Sequence, residues 1–348
     1  MGDGDSPHLL KWARGLAAQP GLELWALSSR AFLPGFDDCV PRQRQLALHT
    51  RPRAAGGNVA LLLQLPHVAR WLRQVDADWL HAHYLTSHGT LAWLARRLFG
   101  LRGRLLGSAW GSDILDTPER NAVLRWVTQR VLRDCALATS DSQVMAVRMK
   151  ELGAGEVMVF PFGLEALPPP PPAKDDTLFF ANRGLEPLYQ PERVLQQFAA
   201  VCGEQGRLVV ANLGSLRSAL EQQAKALQLQ GRVQFVGRLD AAAQADWYGR
   251  ARWYLSLPRS DSVSVSVLEA MAHGCVPILS DLPANRELVR DGDNGLVVPA
   301  GGLLARAALD ALLPRADAIA AANRDWVARH AMFAPCAAAF VARLKALA

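Results

Sequence analysis

The run "LPPPPPAKDD" constrains this chain more than any other feature. Its five consecutive prolines, 168–172, lack a backbone N–H and have a fixed φ, so neither a helix nor a central strand passes through them. They favour stiff, extended polyproline II. The run divides the 348 residues into two stretches, and each carries the same rhythm. Before it, "LELWALS" (22–28), "DWLHAH" (78–83), "GRLLGSA" (103–109), "CALATSD" (135–141) and "VMVFPFG" (157–163) read as strands. Amphipathic helix candidates lie between them at 58–74, 87–99 and 119–133. After it come "TLFFANR" (177–183), "RLVVANLG" (207–214), "RVQFVGR" (232–238), "RWYLSLP" (252–258), "VPILSD" (276–281) and "GLVVPA" (295–300).

Strands alternating with helices imply βαβ units and mostly parallel sheets. The expected fold is therefore α/β, with two doubly wound Rossmann-like domains and ligands between them at the carboxyl ends of the strands. The expected division is a first domain over 1–165, a Pro-rich linker over 166–174, a second domain over 175–330, and a last helix, 331–348, returning to the first domain. The start is unusual: "GDGDSPHLLKWARGLA" reads as a Gly-rich turn opening a helix, with no strand ahead of it. The expectation is that the first strand of the sheet is missing from the chain. The Gly2–Gly4 turn is either functional or simple chain geometry.

Charge and cysteine usage exclude several functions. The net charge of +6 is spread along both halves, unlike the clustered basic stripe of a nucleic-acid binder. A local basic stretch, "PRQRQLALHTRPR" (41–53), suits a solvated loop better than a contact with anionic lipid or an acidic acceptor. Cysteines 39, 135, 202, 275 and 336 are odd in number and widely spaced, with neither metal-ligand spacing nor a disulfide framework. They point to a reducing, cytoplasmic setting. No signal-peptide pattern and no run of spanning length is found, so the expected protein is soluble, or peripheral at the inner face of the cell membrane. His81, His83 and His88 have no nearby Cys or carboxylate partner and make a poor metal set.

The stretch "SDSVSVSVLEAMAHG" (260–274) poses the sharpest chemical question. Its Ser/Val alternation reads as a strand, yet it sits in the crossover between two parallel strands, which requires a helix starting soon after Ser262. Backbone N–H groups around Val263, Ser264 and Val265 then lie at the positive end of a helix, a ready anion site. Asp261 precedes it and Glu269 lies inside it. The alternative is plain: Asp261 or Ser262 caps the helix and Glu269 is a surface residue.

Read with its continuation to "DLPANRELVRDGDNGLVVP" (281–299), this block resembles the nucleotide-sugar signature of retaining glycosyltransferases of family 4, with the GT-B fold. That family carries an acidic residue, seven residues, then Glu. "HAHYLTSHGTLAWLARRL", "GSAWGSDIL", "SDSQVMAVRMKELGAGEVMVFPFGLE", "ANRGLEPLYQPERVLQQFA" and "LGSLRSALEQQAKALQLQGRVQFVGRL" follow the family's order over nearly the whole chain. The resemblance implies that Glu269 binds the ribose hydroxyls of a nucleoside diphosphate sugar. Asp261, where the family usually has Glu, would touch the donor sugar. Arg183 would neutralise the diphosphate, where a fixed cation stabilises the charge that builds as the glycosidic bond breaks. Ser262 and Gly237 would line the same donor site.

Two positions depart from the family. No Lys follows Arg183 closely, the next cation being Arg193. Trp110 stands where the family has His, and an indole offers no lone pair to a sugar hydroxyl. Asp113, His83 and Tyr84 are then the first-domain candidates, with Gly4 beside them. His83 is either a cleft residue or a satisfied buried imidazole, and Asp113 a cleft residue, a helix cap or both. The implied reaction moves a sugar to an acceptor hydroxyl of a sugar, lipid-linked or small-molecule acceptor, with retention and without cofactor or metal, in polysaccharide or glycoconjugate assembly. The other readings are a nucleotide-sugar epimerase and a catalytically silent nucleotide-sugar binder.

Overall fold

The structure is a computed structural model that describes residues 1–50 and 59–348. The chain forms two compact units, one of Met1–Glu165 with Phe333–Ala348, the other of Ala166–Met332. Among the described residues no helix is long and apolar enough to cross a membrane.

The first unit contains β1 (Ala26–Ser28), β2 (Gln45–Ala47), β3 (Trp79–His83), β4 (Arg104–Ser108), β5 (Cys135–Ser140) and β6 (Val157–Val159). β3, β4, β5 and β6 form a parallel sheet in that order, and β1 pairs with β2 in a separate parallel pair. Met1 and Gly2 link the two. Gly2 N–H donates to Leu27 O at 3.0 Å and Ser29 N–H to Gly2 O at 3.1 Å, while His83 N–H donates to Met1 O at 2.9 Å. The place expected for a first strand is therefore held by two residues. Of "LELWALS" only the last three residues are strand; residues 22–27 line a cavity of about 440 Å³ beside Trp12, Trp71 and Trp79. The basic stretch 41–53 is not simply a loop: it holds β2, and its residues 51–53 lie outside the described residues.

Of the three helix candidates of this unit, 87–99 is continuous, a wide turn over Leu85–Gly89 running into the helix Thr90–Phe99, and the other two are each broken once. The 58–74 segment, whose residue 58 lies outside the described residues, is two helices, Val59–Leu62 and Leu65–Val75. The 119–133 segment gives Thr117–Arg120 and Ala122–Asp134, where Asn121 caps the second by accepting from Leu124 N–H at 2.9 Å. The core is built around Trp12, 1% exposed, on the helix Pro7–Ala17. Its ring meets those of His81, His83, Phe160, Phe162, Phe333 and Phe340 at centroid distances of 5.0–6.0 Å. One indole thus ties the first helix, β3, the segment after β6 and the final helix Phe333–Leu347 together.

In the second unit β7 (Asp175–Ala181), β8 (Arg207–Ala211), β9 (Val233–Gly237), β10 (Ala251–Ser256), β11 (Val276–Ser280) and β12 (Leu296–Val298) form one parallel sheet ordered β12-β11-β10-β7-β8-β9. Its strands are near-continuous apolar runs because helices cover both faces. Phe179, Trp253 and Phe198 pack at its centre, at 6.1 and 5.2 Å. The chain builds outward from β7 to β9 and then restarts on the other side at β10. The strand order therefore reverses between β7 and β10, and ligands of such sheets bind beyond the carboxyl ends at that reversal. The proline run belongs to this unit: Arg324 donates to Pro168 O, and Lys174 Nζ donates to Tyr248 O at 2.7 Å and His273 O at 2.5 Å.

The first unit encloses basic groups that burial keeps neutral. Burial lowers His88 to about 4 despite the nearby Asp3, lowers His83 well below its ordinary value, and lowers the Met1 amine to about 5. Burial raises Asp113 to about 6, and this works in the opposite sense. On acidification the unfolded chain protonates its histidines near pH ~6.5, while the native chain refuses those protons until well below that. Native stability is therefore lost as pH falls from about 6.5 towards 4, and Asp113 offsets only part of the loss. Denaturant unfolding at about pH 5 should give a stability lower than at about pH 7.5 by roughly 2 kcal/mol or more. An unchanged or higher value would contradict this account of the histidines.

Candidate functional site

The reversal between β7 and β10 places two charged residues side by side. Arg183 follows the carboxyl end of β7, and Asp261 lies in the loop after β10. Arg183 Nη2 donates to Asp261 Oδ2 at 2.7 Å, with the two side chains 18% and 20% exposed. Burial opposes the charge on Arg183, but the Asp261 carboxylate keeps its pKa above the ordinary value. The guanidinium lies over the Tyr189 ring, 4.5 Å from its centroid. Tyr189 comes from "RGLEPLYQP", so this segment supplies a flat surface under the first cation in place of a second one. A planar guanidinium suits such a seat.

The helix after Asp261 runs Val265–Ala272, with Ser264 at its N-cap. The Ser264 side chain makes no capping bond. Instead it accepts from Arg183 Nη1 and lies 2.8 Å from Ser266 Oγ. Neither Asp261 nor Ser262 caps this helix. Asp261 Oδ1 accepts from Ser262 N–H at 3.1 Å, and Ser262 and Val263 are buried. The helix begins at the late edge of the expected 263–265 span, so Val265 opens the first turn and Ser262 is engaged by Asp261. Glu269 lies just over one turn in, half-buried, where Gln244 Nε2 and Tyr248 Oη lie 3.3 and 3.2 Å from its Oε2. Gly237 ends β9 with φ +72°, and Asn212 N–H donates to its carbonyl at 2.6 Å. That left-handed backbone favours glycine.

Of the expected second-unit residues, the structure brings Arg183, Asp261, Ser264 and Glu269 into one connected set. Ser266, Tyr189, Tyr248, Tyr254 and Asn182 join them and were not foreseen. Ser266 was visible in the sequence as the third serine of the alternation.

In the first unit the expected residues separate into two kinds. His83 and Asp113 are 3% and 0% exposed. His83 is a buried neutral imidazole between Trp12 and Trp110, at 5.4 and 5.8 Å. Asp113 holds loops: Oδ2 accepts from Leu85 N–H at 2.7 Å and Oδ1 from Trp110 N–H at 2.9 Å. Of the alternatives open for each, His83 is thus a buried imidazole, which also lines the cavity of about 440 Å³, and Asp113 is a loop-holding carboxylate. Tyr84 and Trp110 are half-buried. Tyr84 has φ +68°, a rare conformation for a bulky residue, and its Oη lies 2.9 Å from Ser112 Oγ. Gly4 is dictated by packing: a Cβ there would sit 2.7 Å from the Phe32 ring and from Ser28 Oγ.

Two family profiles match the chain: "Glycosyl transferases group 1" over residues 167–319 and "Glycosyl transferase 4-like" over residues 1–142. The chain belongs to the group 1 glycosyltransferases. It is 29% identical over 278 residues to the phosphatidyl-myo-inositol mannosyltransferase of Mycobacterium leprae, covering 75% of this chain and 72% of that one. The crystal structure of Anabaena HepE in complex with UDP and glucose superposes with a TM-score of 0.77 at 14% identity, over 99% and 98% of the two chains. Sucrose-phosphate synthase from Thermosynechococcus elongatus gives 0.76 at 18% identity, over 97% and 92%. The fold of this glycosyltransferase is GT-B, two Rossmann-like units of parallel sheet and helices.

In this glycosyltransferase Asp261 occupies the Arg183 guanidinium, so an anion reaching that group would compete with it. Asp261→Asn keeps the shape and removes the charge. Inorganic pyrophosphate should then bind about tenfold more tightly than to the unaltered protein, since a neutralising charge in contact is worth more than 1 kcal/mol even in a partly wet site. Isothermal titration at fixed ionic strength measures this, and equal or weaker binding would contradict the arrangement.

Proposed function

We propose that this glycosyltransferase takes its sugar from a nucleoside diphosphate sugar and passes it to an acceptor hydroxyl with retention at the anomeric carbon. The observation that carries the reading is the joined set at the β7/β10 reversal. A cation, the N-terminal end of a helix whose N-cap side chain makes no capping bond, and a carboxylate one turn further on match the three parts of such a donor: diphosphate, its bridging oxygens and ribose. Arg183 and the helix N-terminus would hold the diphosphate, Glu269 would accept from the ribose hydroxyls, and Asp261 would turn from Arg183 to the donor sugar. Gly237, with its open left-handed backbone, would lie against the base. UDP is the first nucleotide to test, because HepE binds UDP.

In the reaction the bond from the anomeric carbon to the phosphate oxygen breaks, and its electron pair leaves with the diphosphate. Arg183 and the helix dipole stabilise that charge most as it develops. The acceptor oxygen bonds to the anomeric carbon on the same face, and its proton passes to the departing phosphate oxygen. A separate enzymic base is then unnecessary, which fits the enclosure of His83 and Asp113. Trp110 and Tyr84 remain as half-buried surfaces for a sugar ring. A lipid-linked acceptor at the inner face of the membrane, in glycoconjugate assembly, is favoured by the lipid named in the mannosyltransferase relative.

Titration of UDP, GDP and ADP into the protein, with Arg183→Ala and Glu269→Ala alongside, tests the donor reading. One nucleotide should bind, and each variant should weaken it by at least about tenfold, the worth of a hydrogen bond to a charged group. Proton NMR of the product should show the donor's anomeric configuration kept. Absence of binding to a folded sample would overturn the donor reading, and an inverted product the retention.

A further inference from the structure

Beneath the site runs a chain of polar side chains that joins its two ends. Arg183 Nη1 donates to Ser266 Oγ at 3.2 Å, and Ser266 Oγ lies 2.9 Å from Tyr254 Oη. Tyr254 Oη is 2.7 Å from Asn182 Oδ1, and Asn182 Nδ2 donates to Tyr248 Oη at 2.8 Å. Tyr248 Oη is 3.2 Å from Glu269 Oε2. Asn182, Tyr248 and Tyr254 are 8%, 1% and 0% exposed. They come from the end of β7, the helix Ala241–Arg250 and β10.

The chemistry of the ends fixes the sense of this chain. A guanidinium has donors only, and an ionised carboxylate acceptors only. Each hydroxyl between them has one proton to give. Tyr254 Oη has acceptors at Asn182 Oδ1 (2.7 Å) and Ser266 Oγ (2.9 Å) and gives its one proton to the nearer, amide oxygen; the Asn182 amide donates to Tyr248 and Tyr248 to Glu269, while Ser266 Oγ also faces Ser264 Oγ at 2.8 Å. The Ser266 carbonyl lies 3.1 Å from Tyr248 Oη as a second acceptor, but a charged oxygen is the stronger one. Asn182 has unlike ends, an acceptor facing Tyr254 and a donor facing Tyr248, so it enforces the same direction. Burial raises Tyr254 to about 12 and Tyr248 well above its ordinary value, so both phenols keep their protons. Hydrogen bonds running one way through a buried region polarise one another.

We propose that Asn182, Tyr248 and Tyr254 are positioning residues that make the diphosphate arginine and the ribose carboxylate one unit. The inference rests on the donor-site reading above. Its consequence is specific: recognition of a ribose hydroxyl by Glu269 depends on Tyr254, which is buried, lies 2.9 Å from Ser266 Oγ on the Arg183 side and is joined to Glu269 through Asn182 and Tyr248. A purely structural tyrosine would support both nucleotide forms alike. A relay supports the hydroxyl-dependent part selectively.

The experiment compares UDP, GDP and ADP with their 2′-deoxy counterparts, by titration against the unaltered protein and Tyr254→Phe. The unaltered protein should prefer the ribonucleotide by at least about tenfold, as for a hydrogen bond to a charged group. In Tyr254→Phe that preference should shrink to within about threefold, while the deoxy form binds nearly as before. Tyr248→Phe, which cuts the chain beside Glu269, should do the same and serves if the first variant folds poorly. A preference that survives in a folded variant, or an equal loss for both forms, overturns the relay and leaves the donor reading intact. An unaltered protein that binds no nucleotide, or binds both forms equally, overturns the donor reading and the relay with it.

Discussion

The ion pair between Arg183 and Asp261 is the point on which the second unit's strand order, its helix and its buried polar chain converge. Neither residue would sit there without the reversal, because only β7 and β10 are neighbours in the sheet whose following loops leave in different directions. Partly buried charges need a partner, and each of these is the other's. Around them the donors of Arg183 are spread over Ser264, Ser266 and Asp261, with Tyr189 beneath. A guanidinium held on so many sides keeps one orientation, and a fixed cation stabilises developing charge without reorganising. Where the family often has a lysine after this arginine, the segment here supplies the Tyr189 ring beneath the Arg183 guanidinium.

The first unit is organised by a different constraint, the enclosure of polar groups around one indole. Trp12 gathers β3 and the final helix into a single aromatic core, and the histidines of β3 are drawn into it as neutral rings. Asp113 is the counterpart on the loop side. Its two oxygens take backbone N–H groups from the segments after β3 and β4, so its carboxylate stabilises the shape of those loops. Sequence motifs of this family therefore do two jobs in the same few residues. "HAHY" and "WGSD" build loops first, and His81, Tyr84, Trp110 and Ser112 are their half-buried members.

Much of this was legible from residue pattern. Every strand of the second sheet appeared as a short apolar run, because a sheet covered on both faces requires one. Arg183 was legible because it ends such a run, and Glu269 because helix-forming residues surround it. The misleading signals were local. "SVSVSV" alternates like a strand, but a parallel crossover overrides alternation, and three of its positions are loop and cap. "QLA" in a basic stretch gave no strand signal, since β2 is three half-buried residues long. His83 and Asp113 looked reactive because sequence reports residue type and not enclosure. The tyrosine–asparagine chain was invisible for another reason: Asn182 meets Tyr248 and Tyr254 across separations of 66 and 72 residues, and no local pattern encodes such contacts.

The central claim is that a nucleoside diphosphate displaces Asp261 from Arg183 at the β7/β10 reversal. A crystal structure of the protein grown with UDP tests it most directly. The account predicts the diphosphate on the Arg183 guanidinium and the first turn of the helix from Val265, the ribose hydroxyls on Glu269, and the Asp261 carboxylate turned away. A nucleotide bound elsewhere, or one seated there with the Arg183–Asp261 pair still closed, would contradict it.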